Sequence, residues 1–145
     1  MPCSTDVAAC SRYLGRLFSA RPEVASEVAA KIDQPVTATE MRGWLASEAL
    51  TEENLKPALR RLKQRAYARV AARDLGGRAH LAEVTECMSS IAEIATETAV
   101  AVLRDALAAR YGTPRNGQGE EQKLVVIGMG KLGGRELNVS SDIDL

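Results

Sequence analysis

Apolar residues recur every three or four positions along most of this chain, and the pattern changes character near residue 123. Val7, Cys10, Leu14, Leu17 and Phe18 keep helical spacing, which predicts one or two helices over residues 5–32. Arg21-Pro22 interrupts them, because a residue before proline avoids helical dihedrals. Pro22 then suits the first turn of a helix over 23–32. Asp33-Gln34-Pro35 reads as a loop. Thr37 and Glu40 have the spacing of a capping box. A short helix is therefore expected to run from there to about Ala49, carrying Met41, Trp44 and Leu45. Thr51 is a second N-cap candidate.

Two longer helices follow. Leu55, Leu59, Leu62, Ala66 and Val70 form an apolar stripe over Glu52–Leu75, closed by Gly76-Gly77. Lys56, Arg60, Arg61, Lys63, Arg65, Arg69 and Arg73 occupy much of the remaining surface. That basic face reads either as a solvated surface or as a contact for nucleotide phosphates or an acidic partner. Arg65 and Arg69, four residues apart, are the first candidates for such a contact. The next helix is expected over Leu81–Arg110. Val84, Met88, Ile91, Ala95, Val102 and Ala106 make its stripe, and Ile94, Ala101 and Leu103 widen it, which predicts burial between several helices. Glu83, Glu86, Glu93 and Glu97 lie on its polar side and could pair with the basic helix. Gly112 and Pro114 stop it, and residues 112–122 form a polar linker. Leu124–Ile127 is then a continuous apolar run, the pattern of a buried strand. A helical turn is expected over Leu132–Leu137, and Ser140-Ser141 leads into a second strand.

The candidate chemistry lies between those strands. The first runs into a glycine-rich turn, Gly128 to Gly134, and the second carries Asp142 and Asp144. On an extended strand, side chains two apart share a face, so both carboxylates are expected to project together while Ile143 faces the core. Adjacent carboxylates repel. A hard cation such as Mg²⁺ relieves this and bridges carboxylates to phosphates. Glycines nearby let backbone N–H groups approach those phosphates. Turn plus Asp-x-Asp therefore suggests metal-assisted phosphoryl or nucleotidyl transfer, with Asp142 and Asp144 as catalytic and metal-ligating residues. Gly128, Gly130, Gly133 and Gly134 are the phosphate-binding candidates. Lys131 is either a phosphate contact or a solvated lysine. Ser140 and Ser141 either touch phosphate, fix the aspartates or serve turn chemistry. Gly128-x-Gly130-x-x-Gly133 also fits a dinucleotide-binding fingerprint. That reading needs a crossover of roughly a dozen residues, and only Gly134–Ser141 are available.

Composition narrows the classes. The formal net charge is +0, which argues against a general nucleic-acid binder. Cys3, Cys10 and Cys87 lack metal-ligand spacing, and His80 is the single histidine. Three cysteines without a secretory pattern fit a reducing cytoplasm. No apolar run approaches the roughly 18 residues of a membrane span.

Across residues 124–145, the run Gly128-Met-Gly-Lys-Leu-Gly-Gly-Arg-Glu-Leu-Asn-Val-Ser-Ser-Asp-Ile-Asp-Leu145 resembles the glutamine synthetase adenylyltransferase/adenylyl-removing family. These are DNA polymerase beta-like nucleotidyltransferases. A looser likeness extends upstream through the arginine-rich stretch 56–74 and Tyr111-Gly112-Thr113-Pro114. The resemblance implies a mainly α N-terminal region and linker over 1–122. After it comes the truncated start of an α/β nucleotidyltransferase domain over 123–145. It also implies Mg²⁺ as cofactor, ATP/ADP and phosphate as ligands, and glutamine synthetase as protein substrate. The PII signalling protein is implied as a further partner, and no nucleic acid or membrane. Family members carry two such domains. Met129 and Asn138-x-Ser140-Ser141 resemble the first copy, which removes AMP from a glutamine synthetase tyrosine by phosphorolysis and releases ADP. Family members continue into strands that supply a third carboxylate. The chain ending at Leu145 is accordingly expected to lack turnover alone. Two alternatives stand beside this reading: another Mg-dependent nucleotidyltransferase of the same fold, and a non-catalytic helical docking module.

Overall fold

The computed structural model describes residue 7 and residues 9–145. The expected helix start at residue 5, like Cys3, lies outside them. Among the described residues, five helices of nine residues or more make up the body: α1 (Arg12–Ala20), α2 (Pro22–Ala30), α3 (Ala38–Ala46), α4 (Glu52–Leu75) and α5 (Leu81–Tyr111). A four-residue helix, α6 (Gly130–Gly133), follows a long non-helical stretch.

Local chemistry sets the helix starts. Ser11 Oγ accepts from the Leu14 N–H at 3.3 Å to open α1, and Pro22 opens α2 at its first position. Thr51 and Asn54 form a reciprocal capping box at α4: the Asn54 N–H donates to Thr51 Oγ1 at 3.4 Å and the Thr51 N–H to Asn54 Oδ1 at 2.8 Å. The box expected at Thr37 is only half made. Thr37 Oγ1 caps the Glu40 N–H at 3.2 Å. The Glu40 carboxylate does not turn back, because Arg69 and Lys31 draw it away. α3 also ends at Ala46, earlier than expected.

α4 is the organising element because it is buried on two sides. Ala58, Leu62, Ala66 and Val70 join Met41 and Leu45 of α3 and Val84, Met88, Ile91 and Ile94 of α5 in the main core. Ala68 and Ala72, on another side of α4, join Leu14 and Leu17 of α1 and Val24 and Val28 of α2 in a second core. The small side chains at 68 and 72 allow close helix approach there. Fully burying one leucine of the main core contributes about 1.5–3 kcal/mol.

This double burial corrects the expectation of a basic outer face on α4. Arg69 and Arg73 are buried. Arg69 pairs with Glu40, and Arg73 makes a two-pronged bond to Glu83, with Nε–Oε1 at 2.6 Å and Nη2–Oε2 at 2.9 Å. Burying a charge demands such a partner. Of the four glutamates expected to serve the basic helix, only Glu83 does so. Glu97 pairs with Arg42 of α3 at 2.5 Å, and Glu86 and Glu93 turn to Arg135.

The first half of α5 is buried as its wide stripe predicts. The second half is not: Leu107 is 53% exposed and Tyr111 75% exposed. The buried strand expected at Leu124–Ile127 also requires correction. No strand forms among the described residues, and Leu124, Val125 and Ile127 are exposed. A strand exists only through a ladder partner for its backbone groups. The segment near the Asp-x-Asp provides one bond, from the Met129 N–H to the Asp144 carbonyl at 2.9 Å. One bond does not make a ladder. No helix among the described residues is long and apolar enough to cross a membrane.

Candidate functional site

The glycine-rich turn has a defined shape. Leu132 and Leu137 drop into the main core beside α5, and the backbone between them folds into α6 and its exit. Gly133 passes so close to Gly128 that a Cβ at 133 would lie 2.6 Å from the Gly128 carbonyl oxygen. Gly130 has a left-handed φ of 50°. A Cβ there would come within 2.9 Å of Asp144 Oδ2. The missing side chain therefore lets the Asp144 carboxylate rest on the turn. Gly133 and Gly134 donate their N–H groups to the Met129 and Gly130 carbonyls, each at 3.0 Å. Their N–H groups thus close the helical turn. Lys131 is exposed beside them.

The serines act on the turn into the Asp-x-Asp. Asn138 Oδ1 accepts from the Ser140 N–H at 3.0 Å, the Ser140 hydroxyl at 3.1 Å and the Ser141 hydroxyl at 2.8 Å. Ser141 Oγ in turn accepts from the Asn138 N–H at 3.3 Å. Of the roles open to Ser140 and Ser141, this is turn chemistry. Asn138 is the hub of the turn, which the spacing of the serines did not single out.

Asp142 and Asp144 are both exposed, and they face different surroundings. Asp142, with Ser141 and Ile143, lines an open cleft of about 1130 Å³ against α4 and α5. Asp144 lies against Gly130 instead. Ile143, expected to face the core, is 45% exposed on the same cleft as Asp142. The alternation of a strand is not in place here, because residues 142–145 lack a ladder. The side chains are hard oxygen donors of the kind Mg²⁺ accepts, and Gly130 leaves room for one of them. Among the described residues, no group of three or more His, Cys, Asp or Glu gathers as a metal cluster.

The basic residues sort differently from the sequence expectation. Arg65, a first candidate for an anion contact, is held by Glu27 at 2.9 Å through both Nε and Nη2 and stacks 4.0 Å over the Trp44 ring. Arg69 is buried against Glu40. Burial acts to raise the Glu40 carboxyl, but hydrogen bonds and charge from Arg69 and Lys31 hold it below its ordinary value. Arg60 and Lys63 are the basic residues of α4 that line the same cleft as Asp142. Periodicity alone did not separate them from their neighbours. Cys87 is buried and unpaired, and burial pushes its thiol up to about 12. It is therefore not a nucleophile at neutral pH. Cys10 is exposed and also unpaired.

The family profile described as glutamate-ammonia ligase adenylyltransferase matches residues 4–145. A bifunctional glutamine synthetase adenylyltransferase/adenylyl-removing enzyme of Aromatoleum aromaticum is 48% identical over 138 residues, covering 95% of this chain and 15% of the relative. The protein of the same name from Burkholderia mallei is 49% identical over 141 residues, covering 93% and 15%. That from Chromobacterium violaceum is 45% identical over 152 residues, covering 100% and 17%. The chain thus spans about 15% of the length of the relatives it matches. No solved structure matches significantly. With the profile match running through both cores, the glycine turn and the Asp-x-Asp, the chain belongs to the glutamate-ammonia ligase adenylyltransferase family.

Proposed function

We propose that this chain supplies part of a nucleotidyl-transfer site that controls glutamine synthetase by reversible adenylylation of a tyrosine, and that it serves the adenylyl-removing half. The observation that carries the reading is the Asp144 carboxylate seated on Gly130 within a chain of this family. In removal, an oxygen of inorganic phosphate attacks the AMP phosphorus. The phosphorus–oxygen bond to tyrosine breaks, ADP leaves, and the tyrosine oxygen takes up a proton. Asp142 and Asp144 would hold Mg²⁺, which when bound neutralises charge on the transferring phosphoryl group. The chain's own contribution is positioning. The Asn138 hub shapes the entry to Asp142, and the turn at Gly128–Gly134 shapes the floor under Asp144. The mainly helical region before residue 123 leads into an α/β nucleotidyltransferase start in this reading. ATP/ADP, phosphate and the PII signalling protein are the further partners, and the compartment is the cytoplasm.

The test uses a chimera in which this chain replaces the matching segment of the Aromatoleum aromaticum relative. Asp142→Asn/Asp144→Asn should lower phosphate-dependent AMP removal by about 100-fold or more. AMP attachment should persist. Loss of attachment with intact removal would reverse the assignment of the half-reaction. Retention of both would leave only a docking role for this segment.

A further inference from the structure

Arg135 stands where α6 ends, and it is the one non-glycine residue with a left-handed backbone among the described residues, at φ 57°. The helix end is a Schellman closure. The Glu136 N–H donates to the Lys131 carbonyl at 2.8 Å, and the Arg135 N–H donates to the Leu132 carbonyl at 3.1 Å. Glycine usually fills the left-handed place in this closure, because a Cβ is disfavoured there. Arginine brings what glycine lacks, a side chain that reaches α5. Nε donates to Glu86 Oε2 at 2.8 Å, Nη2 to Glu86 Oε1 at 2.5 Å and Nη1 to Glu93 Oε1 at 2.5 Å. Nη2 also meets Ser90 Oγ at 3.3 Å. Positions 86, 90 and 93 lie on one face of a helix, so each guanidinium nitrogen finds an acceptor there. A two-pronged bond to a carboxylate fixes direction as well as distance. Leu132 and Leu137, on either side of Arg135, are buried against the same helix.

We propose that Arg135 is a positioning residue for adenylyl transfer: its fork on Glu86 and Glu93 locks the glycine turn to α5 and so sets where Gly130 and the Asp144 carboxylate stand. The proposal rests on the reading of the turn and the Asp-x-Asp as the transfer site. Its hydrogen bonds go to α5, so Arg135 acts through the turn. The fork is partly exposed, with the Arg135 side chain at 42%, so dissolved salt weakens it.

The test compares Arg135→Gly, Arg135→Lys, Glu86→Gln/Glu93→Gln and the charge swap Arg135→Glu/Glu86→Arg in the chimera, with Asp142→Asn/Asp144→Asn alongside. Arg135→Gly removes the left-handed strain together with the fork, so it keeps the turn's closure while releasing it from α5. Turnover in AMP removal should fall about tenfold or more in Arg135→Gly and in the double glutamine variant. KM for adenylylated glutamine synthetase should stay within about twofold. Arg135→Lys should fall between, and the charge swap, which restores the pair at position 86 but leaves Glu93 without a cation, should recover part of the loss. About 0.5 M NaCl should lower the starting protein toward the Arg135→Gly level and leave that variant unmoved. Full turnover in Arg135→Gly, with the aspartate variant inactive, would overturn the positioning role and leave the site reading standing. Full turnover in the aspartate variant would overturn the site reading and the proposal together. An equal loss in kcat and thermal midpoint, with no recovery in the swap, would reduce Arg135 to a structural residue and overturn the proposal.

Discussion

Replacing Arg73 by methionine tests the claim that α4 is held by buried charge pairs. Arg73 is 4% exposed. Besides its two bonds to Glu83, it donates to the Ile32 carbonyl at 2.7 Å and the Arg78 carbonyl at 3.1 Å. It thereby ties the loop after α2, the end of α4 and the start of α5 at one point. Methionine keeps much of the length and removes every donor. The Glu83 carboxylate is then left with 22% of its side chain exposed and no cation. Removing one partner of a buried pair costs about 3–5 kcal/mol. Glu83 retains some water, so the lower end applies, and about 3 kcal/mol is expected. For a chain of this size each kcal/mol moves the thermal midpoint by about 2–4 °C, giving a fall of roughly 6–12 °C. The assay is thermal unfolding of the 145-residue chain followed by circular dichroism. A second variant, Arg73→Met/Glu83→Met, removes both charges. It should recover more than half of the loss, because apolar replacement of a whole buried pair is often neutral. A single variant that melts within about 2 °C of the starting chain would refute the reasoning. So would a double variant less stable than the single one.

Gly133→Ala should loosen the turn, because its Cβ would meet backbone at 2.6 Å. Overpacking of this kind costs about 1–3 kcal/mol. Amide exchange at Leu132–Glu136 should quicken, whereas Gly134→Ala, whose Cβ would make only ordinary contacts, should not quicken it. Equal exchange in the two variants would contradict the close-approach argument. Acid should weaken the fold through Glu40 and Glu86. Hydrogen bonding and charge from Arg135 hold Glu86 below its ordinary 4.5, as Arg69 and Lys31 hold Glu40. Both carboxyls bind protons more weakly when folded, so their stabilisation is full above the unfolded value and is lost as pH falls through the folded one. Urea midpoints should be level between about pH 7 and 6 and decline below about pH 4.5. A midpoint that rises on acidification would show that these ion pairs do not act as described.

What was legible in the sequence was local. Pro22, Thr51 and the Gly76-Gly77 pair mark helix ends within a turn of themselves, and the structure uses each one there. The stripes of α4 and α5 were legible for the same reason, since spacing alone places Leu62, Ala66, Val70, Met88 and Ile91 on common faces. The long-range partners were not. A run such as Leu124–Ile127 states that it wants a strand neighbour but not where that neighbour is. The arginines of α4 look alike in sequence. Their fates diverge because α1 and α2 cover one side of the helix and α3 and α5 cover another. Arg69 and Arg73 become buried, while Arg60 and Lys63 stay at the cleft. No periodicity within α4 records which neighbours will arrive.

The candidate site shows the same division in a smaller space. Its glycines and aspartates were visible as a motif, because close backbone approach and paired carboxylates each demand particular residue types. The residues that hold the motif in place were not visible. Asn138, Leu132, Leu137 and Arg135 are ordinary in type, and each matters only through what it meets. Leu132 and Leu137 share a core with Met88, Ile91 and Ile94, which lie some 40 residues earlier in the chain. The polar stretch 112–122 therefore separates turn from helices in sequence while packing joins them in space. The coupling has a physical consequence. A loosening of the first half of α5 exposes the underside of the turn and slackens the fork from Glu86 and Glu93 in one event. The Asp144 carboxylate, resting on Gly130, would shift with it. Substitutions in α5 that touch no ligand should then change the geometry of the carboxylate, and they should do so most at the positions that face Leu132 and Leu137.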